Sequence, residues 1–135
     1  MLAENTYPRA YVDDCRAMVE RELAAYRKVA GAKAATGRMA LEPLFCRSLV
    51  LVLDRCFVHR TRAREGKDGN PMNEVRLLCS SILEHDGVFT GEKVIKWVPE
   101  ASVLGYAVGD AISIDVDGAE RLAGAFFDAI EASFT

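Results

Sequence analysis

The sequence predicts a mainly α fold, a four-helix bundle-like single domain over residues 1–135 with a small β-hairpin inserted between the third and fourth helices. Three observations carry this. Apolar residues recur every three or four positions over long stretches, and proline and glycine punctuate those stretches where helices start and stop. One interval, 94–114, changes to short β-branched runs. The four apolar helical faces need a common core, and a bundle is the simplest way to supply one.

The first helix is expected from about Pro8 to Val29. Val12, Cys15, Val19, Leu23, Tyr26 and Ala30 share one face, and Pro8 suits a first turn where its missing N–H is not needed. Gly31 to Gly37 reads as a helix end and loop. The second helix is expected to start near Leu41-Glu42-Pro43 and to run apolar on nearly every side from Leu44 to Val58. Its polar residues Arg47, Ser48, Asp54 and Arg55 fall on one narrow stripe, so it is the central helix, buried against several neighbours. Gly66 to Asn70 interrupts it.

Asn70 then caps a third helix with Pro71 in its first turn, and Val75, Leu78, Cys79 and Ile82 form its apolar face. Asp86-Gly87 ends that helix. Val94 to Val98 reads as a short strand closed by Pro99, and 103–114 reads as a hairpin or irregular β element broken at Gly109-Asp110. Asp115 or Asp117 caps a last helix whose buried face is Leu122, Phe126, Ile130 and Phe134.

Half of the residues are hydrophobic and 27% are charged, which is globular rather than disordered composition. The formal net charge of −3 disfavours a general nucleic-acid binder. Charge is nevertheless segregated: Arg55, Arg60, Arg62, Arg64 and Lys67 cluster in the middle, whereas Arg121 is the one Lys or Arg after Trp97. No run approaches the roughly 20 apolar residues of a membrane span, so no membrane partner is expected. The first residues lack the basic-then-apolar pattern of a signal peptide, and the expected location is the cytoplasm. The four cysteines, with no CxxC or Cys/His ligand spacing, read as reduced core thiols. Cys56, nearest the arginines, is the thiol whose pKa would fall if it were exposed.

The junction between the second and third helices carries the strongest local signal. Cations run directly into a capped helix start, where backbone N–H groups and the helix dipole favour an anion. The candidate ligand-binding residues are Arg55, His59, Arg60, Arg64, Lys67, Asn70 and Asn73, and the ligand class is a small phosphate or carboxylate. The competing reading is a solvated helix end paired to Glu65, Asp68 and Glu74.

On a continuous helix, Arg55, His59 and Arg62 would share a face, making His59 the one candidate acid or base. No second catalytic partner accompanies it. Neither histidine is preceded three residues earlier by glutamate, so no metal is expected, and no cofactor either. Ser80-Ser81 lacks a nucleophile elbow.

Two functional expectations follow. The first is a small binding or interaction module that forms a homodimer. Its association surface would come from the apolar excess of the central helix and from Trp97, Val98, Val103, Leu104 and Tyr106. The second is an enzyme acting on a phosphorylated or carboxylated small molecule, with Arg55, His59, Arg60 and Asn70 in one pocket.

Overall fold

The computed structural model describes residues 3–30 and 35–135, with backbone alone for 35–39. It is mainly helical: α1 (Arg9–Ala30), α2 (Ala35–Cys56), a single turn α3 (Arg62–Glu65), α4 (Pro71–Glu84) and α5 (Val116–Phe134). Residues 31–34, where the sequence suggests part of a loop, lie outside the described residues.

α1 buries the expected face, Val12, Cys15, Val19, Leu23 and Tyr26. α5 buries Leu122, Phe126, Ile130 and Phe134 against it. The two helices run antiparallel. Arg16 near the start of α1 pairs with Asp128 and Glu131 late in α5, while Arg27 near the end of α1 pairs with Asp117 and Glu120 early in α5. α4 adds Val75, Leu78 and Cys79 to the same core, and α2 adds Cys46, Leu49, Val50 and Leu53. Phe57, just past α2, is fully buried and meets the rings of Tyr7, Tyr11, Phe126 and Phe127.

The caps of α4 and α5 are those expected. Asn70 Oδ1 accepts from the Met72 and Asn73 amides, and Asp115 Oδ1 accepts from Gly118 N–H. Asp86 and Gly87 after α4 both have left-handed backbone, φ 55° and 75°.

Three expectations need correction. α2 starts at Ala35, so Pro43 lies inside it rather than in its first turn. The preceding Ala35, Arg38, Met39, Ala40 and Leu41 are strong helix formers, and proline removes only one hydrogen bond from the ladder.

α2 also stops at Cys56 instead of continuing through the arginines. The bonds Phe57 N–H to Asp54 O, Val58 N–H to Arg55 O and Arg60 N–H to Phe57 O tighten its end. The extended N-terminal segment then bridges the chain, with Glu4 N–H bonded to His59 O and Thr61 N–H to Glu4 O.

Among the described residues there is no strand and no hairpin; Val88 and Ala111 form an isolated antiparallel bridge, and Pro99–Ala101 is a 3₁₀ turn. The donors a hairpin would need are taken by side chains. Glu74 accepts from the Val103 and Leu104 amides, and Asp110 accepts from that of Ala107. The rest of the 103–114 segment bonds to the chain after α4, through Phe89 N–H to Asp110 O and Ile112 N–H to Gly87 O.

A cleft of about 400 Å³ runs between α1 and α5, lined by Val19, Leu23, Ala24, Ala123, Gly124 and Phe127 among others. A Cβ on Gly124 would meet nothing within 4 Å. Glycine inside a helix is worth about 0.5–1 kcal/mol less than alanine. Gly124→Ala is therefore expected to stabilise the chain by about that amount in urea unfolding. A loss of stability would show that the groove is tighter than its geometry indicates.

Candidate functional site

The arginine-rich junction folds inward. Arg60 has a fully buried side chain with a partner at each nitrogen: Nε to Glu65 at 2.8 Å, Nη1 to Phe57 O at 3.0 Å and Asp54 at 2.9 Å, and Nη2 to Met72 O at 3.4 Å. Its guanidinium lies 5.6 Å from the centre of the Phe126 ring. Glu65, also fully buried, accepts from Arg76 at 2.6 Å and from Asn73 at 2.7 Å as well. Burial would raise the Glu65 pKa, but the Arg76 hydrogen bond and the Arg60 and Arg76 charges outweigh it and hold the carboxyl below its usual value.

The asparagines are equally committed. Asn70 spends its oxygen on the helix start and its amide N–H groups on Glu65 O and Asp68. Asn73 accepts from Gly69 N–H and donates to Gly66 O besides Glu65. Gly69 sits at φ 86°, and a Cβ there would stand 2.5 Å from Lys96 O, so only glycine fits. Of the other two cations, Lys67 is exposed and Arg64 bonds the backbone oxygen of Ser133 at 3.3 Å. Arg60 pairs with Glu65 in a buried network and is no solvated helix end, whereas Arg62, Arg64 and Lys67 are exposed. Glu74 faces away from this network, toward Val103 and Leu104.

Arg55 and His59 remain available. Because α2 ends at Cys56, they do not share a helical face with Arg62, which belongs to α3 and pairs with Glu92 at 3.1 Å. They line instead a cleft of about 550 Å³ with Glu4, Tyr7, Pro8, Tyr11 and Val58. A neighbouring cleft of about 390 Å³ shares Val58 and His59 and adds Arg60, Arg62 and Arg76. The structure thus separates Arg55 from Arg60, with His59 common to both sides.

Tyr11 donates to Cys56 O at 2.6 Å. Tyr7 differs: its buried hydroxyl has no hydrogen-bond partner among the described residues. Burial raises the Tyr7 pKa, partly offset by the Arg60 charge. Cys56 is free and half-buried, and burial together with its hydrogen bond to Cys15 pushes its pKa up to about 12, so it is not an activated thiol. The other three cysteines are free and buried. Among the described residues no three His, Cys, Asp or Glu side chains are grouped to hold a metal, and no helix is long and apolar enough to cross a membrane.

The loop aromatics are not a free patch. Trp97, Val103, Leu104 and Tyr106 pack against the core, whereas Val98 is exposed; the Trp97 indole N–H bonds Tyr106 O at 2.8 Å, and Phe89 contacts both rings. Exposed apolar side chains are scattered over α1, α4 and the loops, and two of them lie close together on α2. Leu41 and Leu44 are 50% and 55% exposed, Phe45, Leu51 and Val52 are half-buried, and Ser48 and Arg55 are exposed. Leu41, Leu44, Ser48 and Arg55, at steps of three, four and seven, form an outward stripe, flanked by Val52 and by Phe45 and Leu51, which also pack on the core, Phe45 with its ring stacked on Tyr26.

No known protein family, curated protein or solved structure matches the chain.

Sequence reasoning missed Glu65, Arg76, Glu74 and Tyr7 as the groups that organise this region. A glutamate set among arginines is a signal for the first. Nothing local marks Glu74 or Tyr7, whose roles depend on residues far along the chain.

Proposed function

We propose that the chain is a four-helix bundle-like interaction module that associates with a second copy of itself through the outward stripe of α2. The observation that supports this is the register of the stripe. About Ser48 the apolar residues are placed symmetrically: Phe45 and Leu51 at three residues either side, Leu44 and Val52 at four. Leu41 and Arg55 follow at seven. A two-fold axis through Ser48 sets Leu44 against the partner's Val52 and Phe45 against the partner's Leu51, which is the self-complementarity an isologous dimer needs. The small serine at the crossing lets the two helices approach to about 8–10 Å. The stripe is about 21 Å long at 1.5 Å per residue, enough for three helical turns of contact.

The wild-type chain is expected to sediment as a dimer at micromolar concentration. Leu44→Glu places two carboxylates near the axis and should yield a monomer with unchanged helicity, whereas Leu83→Glu, at another exposed leucine, should leave the dimer intact. A wild-type monomer across the micromolar range, or a Leu44→Glu dimer, would sink the reading.

The enzymatic alternative calls for Arg55, His59, Arg60 and Asn70 around one substrate. Arg60 is buried and held by protein partners, and Asn70 is fully engaged by them, so the support that remains for a ligand is confined to Arg55 and His59.

A further inference from the structure

Cys15 on α1 and Cys56, the last residue of α2, bring two free thiols within hydrogen-bonding reach of each other. Tyr11 fixes the arrangement from a third side. It stands one helical turn before Cys15, its hydroxyl donates to Cys56 O at 2.6 Å, and the Cys15 thiol lies within its reach as well. Cys15 is buried in the core, whereas Cys56 is half-buried and lines the cleft of about 550 Å³ at the end of α2. A reagent in that cleft therefore meets Cys56 first, with Cys15 behind it. Cys46 and Cys79 are placed differently: burial and charged side chains act on them, with no second thiol beside either, and Cys79 donates to Val50 O.

We propose that Cys15 and Cys56 are a site of reversible oxidation, joined as a disulfide by exchange with a small-molecule disulfide of the glutathione class. The Cys56 thiol gives its proton to solvent, and its sulfur attacks one sulfur of the incoming disulfide. That S–S bond breaks, and the departing thiolate takes up a proton. Cys15, deprotonated in turn, attacks Cys56 Sγ in the mixed disulfide, forms the Cys15–Cys56 bond and releases the second small thiol. Two protein thiols are oxidised while one small disulfide is reduced to two thiols, and a reducing thiol pool runs the sequence backward. Burial slows the first step, because it disfavours the thiolate; proximity favours the second, because the two sulfurs are already neighbours. Cys56 ends α2, so the shift that brings the sulfurs to bonding distance falls on a helix terminus. The closed bond ties α1 to α2 around a loop of about 40 residues. This site does not depend on self-association through α2.

The test incubates the folded, full chain with glutathione disulfide and maps it by mass spectrometry after digestion without reduction. A Cys15–Cys56 cross-link within one chain is expected, reversed by dithiothreitol, with Cys46 and Cys79 still reduced. The oxidised chain should melt about 10 °C higher than the reduced one, because the bond restricts the unfolded chain. Cys15→Ala should stop the reaction at the mixed disulfide of Cys56 with glutathione, which traps the first step. Cys56→Ala, at the less buried position, should abolish both the cross-link and the melting shift while keeping the helical content of the wild type. A chain that glutathione disulfide leaves fully reduced would overturn the proposal. So would a cross-link between two chains, a different pairing of cysteines, a mixed disulfide that persists in the wild type, or an oxidised chain that melts no higher than the reduced one.

Discussion

Replacing Glu65 with alanine is expected to cost about 3–5 kcal/mol, because it strands the buried Arg60 guanidinium and removes the acceptor shared by Arg76 and Asn73. The network is valuable only while it is complete. Arg60 lies over Phe126 in the centre of the fold, and Asp54, a quarter exposed, cannot neutralise it as Glu65 does. Urea unfolding measures the loss, and a change under about 1 kcal/mol would mean that water or Asp54 compensates.

The pH dependence has a definite sign. The Glu65 carboxyl titrates below its unfolded value, so its contribution is complete above the ordinary glutamate pKa of about 4.3 and is lost as pH falls through the lowered folded value. In Glu65→Gln that part of the acid limb should flatten.

Glu74→Ala should cost about 2–4 kcal/mol, by leaving the Val103 and Leu104 amides without their acceptor at 2.8 and 2.9 Å. The effect should also be local. Amide exchange at Val103 and Leu104 should accelerate, and Trp97 fluorescence should shift to the red as the loop loosens around the Tyr106 carbonyl. Unchanged exchange at those two amides would contradict the clamp.

Glu74 titrates in the opposite sense from Glu65. Burial raises its pKa, while the two amides and Arg121 pull it back. Its contribution is therefore complete below the ordinary carboxylate value and is lost as pH rises through the raised one. Glu74→Gln keeps one acceptor oxygen without the buried charge, and should cost less than alanine.

Much of the fold was legible because it depends on neighbours in sequence. The Val12 to Tyr26 face of α1 follows from spacing alone, and the Asn70-Pro71 helix start from cap chemistry. The all-round apolar character of α2 likewise foretold a helix with more apolar surface than its neighbours cover. The illegible parts depend on distant partners. Arg60 turns inward where α2 has already ended at Cys56 and the Glu4 segment, far away in sequence, bridges His59 and Thr61. The 103–114 run has hairpin composition, but a glutamate on α4 takes its donors. The Cys56 thiol is held up by burial, by Cys15 on α1 and by Glu22, in keeping with a packed cysteine and not with the exposed one for which a lowered pKa was expected. At the candidate site, Arg55 was readable as a cation and His59 as a candidate acid or base near a helix end. The hydroxyl of Tyr7 was not, since only the assembled fold buries it.

The antiparallel pairing of α1 with α5 has a consequence for biosynthesis. The ion pairs that bind these helices span 112 and 90 residues of sequence. A ribosome adding about 5–20 residues per second takes on the order of 5–20 s to cross that interval. Throughout it Val12, Val19 and Leu23 wait without the helix that buries them. α2 and α4 offer a provisional core, but the nascent chain cannot close until its last helix has emerged. The sticky interval belongs to the youngest form of the molecule, before α5 covers α1.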